Sequence, residues 1–246
     1  MGTLATVLPA SSALCLEREA EFEIALANDI ASLTSTTIAG LAAGANRMLI
    51  GKEIVQFLCA EPIDANRWRL SGLLRGRGGT EGKAANGHPI GTRAILIDDA
   101  ISALDPSAFT QSGPVEFAAI GLGDPEPVYF TAALSGSSRL PLSPVHARAE
   151  ARADGGWGLC WTRRSRGQWQ WEDGIDTPLI EENEAYLVGC GPMDQPLISW
   201  ETAEPRLALS HSEVADLNTH YGPHALWVKQ IGTHGLSPAT SIAQLT

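Results

Sequence analysis

The 246 residues suit two compact domains or one large β-domain, and with 44% hydrophobic and 18% charged residues the composition is neither disordered nor fibrous. A formal net charge of −11 argues against nucleic-acid binding as the main task, because a phosphate backbone needs a clustered cationic face. No apolar run approaches the roughly 20 residues needed to span a bilayer.

Twenty-five glycines and 15 prolines imply frequent turns, hence short strands rather than long helices. Glu21–Ala27 alternates strictly: Phe22, Ile24 and Leu26 share one face, Glu21 and Glu23 the other, as in a half-buried strand. Ser35–Leu41 is a short helical candidate. Glu53–Cys59 is apolar on both faces and reads as a central strand. Arg67–Leu74 sets Trp68 and Leu70 opposite Arg67 and Arg69. The short turn Asp64–Asn66 makes a hairpin of these two runs. A glycine-dense loop, Arg75–Gly82, follows. Arg93–Asp98 is a buried strand running into a second short helical stretch, Ile97–Leu104. Val115–Ile120 and Val128–Ala133 pair around the turn Gly123–Pro127.

Gly, Ser and Pro cluster in Leu134–Pro144, which divides the chain into residues 1–135 and 136–246. Strand-like runs then recur at Val145–Ala151, Gly156–Arg163, Ala185–Cys190, Arg206–Ser210, Ala225–Ile231 and Ser241–Leu245. Trp157, Leu159 and Trp161 share one face of their run, and Tyr186 and Val188 share one face of theirs. Together they imply an aromatic and aliphatic core between two sheets. The expected fold is all-β: an N-terminal irregular β-domain, then a fibronectin type III-like β-sandwich, an architecture that needs no bridging disulfide.

Cys15, Cys59, Cys160 and Cys190 form no CxxC pair and have no histidine at zinc-site spacing, so they read as buried small hydrophobes. With no charged, apolar, small-residue leader at the N-terminus, the chain is expected to fold in a reducing cytoplasm, which disfavours a Cys160–Cys190 bridge. The six histidines are scattered, without an HExxH or Gly-x-Ser-x-Gly pattern. His220 and His224 have helical spacing, but Gly222-Pro223 between them favours a loop. Asp98-Asp99 and Glu181-Glu182 are adjacent, which puts neighbours on opposite faces, as on a solvated surface. No catalytic, cofactor or metal residue is assigned.

Three places carry candidate contacts. The Arg75–Gly82 loop lacks the phosphate-cradle spacing GxxxxGK[ST]. It reads either as a tight turn needing positive φ at Gly76, Gly78 and Gly79, or as such a turn in which Arg75 and Arg77 also bind carboxylates of a neighbouring subunit. In Trp161–Trp171, Trp161 belongs to the core. Arg163, Arg164 and Arg166 leave the strand beside Trp169 and Trp171, residue types suited to a binding hot spot or to stacking on a sugar. The alternative is that both tryptophans fold back over the sandwich edge. Trp227, beside Lys229, points outwards if Leu226 and Val228 face the core.

Gly44–Arg47, Ile50–Phe57 and Trp68–Glu81 form one block of motifs; Leu142–His146, Trp161–Arg166, Pro178-Leu179 with Glu184–Tyr186, and Val228–Ile231 form a second. This order resembles the C-terminal part of the large tail-tip (baseplate hub and host-specificity) proteins of gene transfer agents and related siphophages. The resemblance runs from residue 40 to residue 245, and its specific part is Leu70–Glu81. It implies a virion structural protein at the tail tip, assembled in the host cytoplasm. The first domain would join a ring around the tail axis as a closed homo-oligomer, a trimer, with other tail-tip proteins and a host surface glycan as partners. In that family a long N-terminal region with a glycosidase-like barrel precedes these segments. Its absence here leads one to expect a split gene or a shortened relative, and not an enzyme. A carbohydrate-binding module and an accessory cell-wall hydrolase are the competing readings.

Overall fold

The structure, a computed structural model, describes residues 1–28, 32–102, 113–134, 136–167 and 177–245. The alternation in β2 (Glu17–Leu26) turns Phe22, Ile24 and Leu26 into one core, while Glu21 and Glu23 stay outside. Around that core, β1 (Gly2–Leu4), β2, β3 (Arg47–Ile50), β4 (Glu53–Pro62), β5 (Arg67–Arg77) and β6 (Arg93–Ile97) close into a barrel in the order β1-β2-β5-β4-β3-β6. Every neighbouring pair is antiparallel, and β6 returns to β1. The first half is thus more regular than its sequence suggests. Closure depends on Gly2 and Thr3 meeting Ala94 and Arg93 across most of the domain's length, which no local pattern announces. A closed barrel leaves no strand edge unpaired. Helix α1 (Ile38–Ala42) lies between β2 and β3, its start capped by the Thr37 side chain; α2 (Glu81–Ala84) follows β5.

Strands β7 (Gly113–Ala119) and β8 (Val128–Leu134) form the expected hairpin and, among the described residues, belong to no larger sheet. A 3-10 turn, Ser137–Arg139, leads towards the sandwich. There β9 (Val145–Ala151), β10 (Trp157–Thr162) and β13 (Arg206–Leu209) make a three-stranded sheet in the order β13-β10-β9. Facing it, β12 (Ile198–Thr202), β11 (Ala185–Cys190) and β14 (Ala225–Gly232) run side by side, and β14 also pairs with β15 (Gly235–Leu236) and β16 (Thr240–Gln244). The first two strands lie in one sheet and the next two in the other, the two-sheet arrangement of fibronectin type III-like sandwiches, here three strands facing five. Leu159, Trp161, Tyr186, Val188, Leu226 and Val228 fill the space between the sheets, with Trp161 and Tyr186 meeting edge to face at 5.2 Å. This cluster and the barrel cluster share no residue.

Several elements depart from the sequence reading. Strands β1, β3, β12 and β15 and helix α2 were not expected, and Ile97 ends β6 with no helix following over residues 98–102. Ser210 begins a helix, α3 (His211–Tyr221), with a reciprocal capping box between Ser210 and Glu213. His220 is therefore helical and not in a loop. Val214 and Leu217 of α3 enter the sandwich core, so the helix closes part of the inner face that the shorter sheet leaves uncovered. The cysteines are all free thiols; Cys190 is buried, but Cys15 is exposed and Cys59 and Cys160 are half-buried. The reading of all four as buried hydrophobes therefore holds for Cys190 alone. Among the described residues, no helix is long and apolar enough to cross a membrane.

Candidate functional site

The glycine-rich block is where most of the barrel's polar chemistry gathers. Gly76, Gly78 and Gly79 have φ of 60°, 64° and 85°, as the turn reading requires. Arg75 lies in β5 and its side chain is 1% exposed. Its Nε donates to Glu53 Oε1 at 2.7 Å, Nη2 to Oε2 at 2.9 Å, and Nη1 to the Pro9 carbonyl at 2.9 Å. Glu53, itself fully buried, also accepts from the Gly76 N–H at 2.9 Å and lies 2.8 Å from His88 Nε2. Burial pushes the Glu53 carboxyl up. The hydrogen bonds from Arg75 and Gly76, with the Arg75 charge and His88, outweigh it and hold the group below the usual carboxylate range. Arg75 is thus a structural ion pair inside the barrel, not a contact to a neighbouring subunit: a bidentate partner is already in place, and nothing of the guanidinium is left at the surface.

Beside this pair, Gln56 donates to the Leu41 and Ala45 carbonyls at 3.0 and 2.7 Å and accepts from Arg77 Nε at 2.9 Å. Burial, followed by the nearby Arg164 charge, lowers the pKa of Arg77. Arg164 ion-pairs with Glu81 of α2, and a Cβ placed on Gly79 would come within 2.6 Å of Leu142 Cδ2. The two arginine-bearing stretches picked out in sequence are therefore brought together, across the junction between barrel and sandwich.

The other arginines are also anchored. Arg163 Nη2 donates to the Thr177 carbonyl at 2.6 Å, and Arg166 Nε to Glu181 Oε1 at 2.8 Å. Glu181 is buried and further accepts from the Thr233 N–H, which corrects its reading as solvated surface; only Glu182 beside it is exposed. Burial raises the Glu181 pKa, but Arg166 and Thr233 bring it below the ordinary value. Trp169 and Trp171 lie outside the described residues.

Trp227 does leave the core face, since Leu226 and Val228 pack inwards, yet it is fully buried and not a surface contact. Its ring lies against Gly189, whose Cβ, if present, would sit 2.3 Å from Trp227 Cζ2. The indole N–H donates to the Gly191 carbonyl at 2.8 Å, and Lys229 Nζ lies 5.1 Å from the ring centre. A glycine opposite a tryptophan makes a slot on the outer sheet face that periodicity alone cannot reveal.

Two surfaces escaped the sequence reading. On the β7–β8 hairpin, Val115, Phe117 and Ala119 lie opposite Ala132, Phe130 and Val128, giving one wholly apolar face with Phe117 and Phe130 stacked at 5.2 Å. Val128 and Phe130 are exposed, although an amphipathic hairpin normally buries its apolar side. The second surface is a cleft of about 380 Å3 between β12 and α3, lined by Ile198, Trp200, Glu213, Asp216, Leu217, His220 and Tyr221. Its sequence signal was the Ser210-x-x-Glu213 capping box. Among the described residues, no three His, Cys, Asp or Glu side chains gather as a metal site.

Comparison with known families finds one match. Residues 1–95 match the family described as Rcc01698-like, C-terminal. That name is associated with gene transfer agents, and the matched stretch begins at the start of the barrel and ends within β6. No curated protein matches the chain. Among solved structures, domains d3–d4 of the rat CD45 extracellular region align at 8% identity, 61% of this chain, 72% of that chain and a TM-score of 0.29. Titin domains A168–A170 align at 9%, 99%, 98% and 0.28. Chicken CNTN1 domains FN1–FN3 align at 11%, 98%, 68% and 0.25.

Proposed function

We propose that the chain is a structural component of a phage or gene-transfer-agent tail tip, working by assembly and not by catalysis. The observation that carries this reading is the Rcc01698-like match, whose span coincides with the closed barrel. The barrel is the part that joins a ring around the tail axis, as a cyclic homo-oligomer with trimeric symmetry. The sandwich decorates that ring and faces other tail-tip proteins or a host glycan. The exposed apolar face of the β7–β8 hairpin favours assembly too, because such a face gains stability only when covered.

The test is mass spectrometry and electron cryomicroscopy of purified particles, with light scattering of the isolated chain. Density for the barrel at the tail tip, in a three-fold ring, is the expected result. A monodisperse monomer that is never found in particles sinks the reading.

A further inference from the structure

We propose that the outer edge of β12, with the cleft beneath it, is a docking site for an extended cationic peptide segment taken up as an added strand. The inference stands apart from the tail-tip reading, since it uses only the sandwich. Among the described residues, β12 pairs on one side alone, with β11, in an unbroken five-residue register from Tyr186↔Thr202 to Cys190↔Ile198. Its other side presents backbone N–H and C=O groups with no strand to receive them, the template that strand addition uses. Most protected edges carry a bulge or a proline; β12 carries neither.

The cleft gives that edge a place for side chains. Ile198 and Trp200 alternate on the inner face of β12, and with Leu217 of α3 they form an apolar floor. An added strand continues the sheet past β12, so every second side chain of it points towards this floor. The rim carries Asp216 and Glu213, and Glu201 is exposed on the other face of β12, where the alternate side chains of an added strand would lie. Glu213 is engaged with Ser210 at the helix start, which leaves its charge in place. His220 Nδ1 donates to the Asp216 carbonyl at 2.9 Å, so in the neutral ring Nε2 remains an acceptor. Lysine or arginine therefore finds acceptors at this rim, on a protein whose overall charge of −11 attracts cations. A sugar would use the aromatic rings but leave the strand edge unpaired, and Trp200 is partly packed into the core. A peptide strand uses edge, floor and rim together.

The probe is an acetylated, amidated seven-residue peptide of alternating lysine and valine, titrated into the intact chain and followed by calorimetry and amide hydrogen exchange. Saturable binding is expected, with exchange slowed at least tenfold in β12. Glu201→Lys, an exposed substitution on the face that the peptide's lysines reach, should weaken binding at least tenfold. N-methylation of the central valine should abolish it, because the backbone donor is lost. Absence of binding to the folded protein overturns the proposal. So does equal binding of the N-methylated peptide, protection at another strand edge, or uptake of a hexasaccharide in place of the peptide.

Discussion

The barrel and the sandwich solve the same problem, burying a β-sheet core, in opposite ways. The barrel closes every strand edge and places a charged pair, Arg75 and Glu53, at zero or near-zero exposure inside. Among the described residues the sandwich stays open at β12; it keeps its core apolar and aromatic, and holds its ion pairs nearer the surface, as with Arg166 and Glu181. The difference teaches where each domain is brittle. Cutting one contact in the barrel strands a buried charge, whereas the sandwich is sensitive to shape, at Gly189 under Trp227.

The largest effect should therefore come from Arg75→Ala, which leaves the Glu53 carboxylate buried without its partner. The expected loss is about 3–5 kcal/mol by denaturant unfolding. Replacing both together, Arg75→Met with Glu53→Leu, should cost less than Arg75→Ala alone, because no charge is left behind. If the single change costs under about 1 kcal/mol, the contrast between the domains is lost.

Acid should find the same pair. The folded Glu53 pKa lies below its ordinary value, so its contribution is complete above the ordinary glutamate range. That contribution falls away as pH drops through the lowered folded value. Unfolding free energy measured against pH should decline in that window for the wild type and be flatter for Glu53→Gln.

In the sandwich, Gly189→Ala puts a methyl group into the Trp227 ring and should cost about 1–3 kcal/mol, with a shift in tryptophan fluorescence. Ser210→Ala removes the capping box of α3 and should cost about 1 kcal/mol in thermal unfolding. The smallest effect belongs to Arg164→Ala at the junction of the two domains. That pair is partly exposed, and its loss should cost roughly 0.2–1 kcal/mol, diminishing with added salt.

Much of the fold is legible locally. The alternation of Phe22, Ile24 and Leu26, the Asp64–Asn66 turn and the Trp157–Leu159–Trp161 stripe all predict what is observed, because strand periodicity is written in successive residues. Helix α3 carries a capping-box signal that the strand and loop reading of this region did not use, and Gly222-Pro223 ends the helix without preventing it. The candidate contacts fared differently. Arg75, Arg163, Arg166 and Trp227 are the residue types found at interfaces, yet each has its partner within the chain.

By itself, the sequence determined most of the strands, the turns with their left-handed glycines, and the core-facing sides of β2, β10 and β11. Only the tertiary structure decided that β6 returns to β1, that Arg75 meets Glu53, that Arg164 reaches Glu81, and that among the described residues β12 pairs on one side alone, beside a cleft. Periodicity reports what a residue turns towards. Partner and burial depend on segments far away along the chain, and these are joined only when the sheets close or stop.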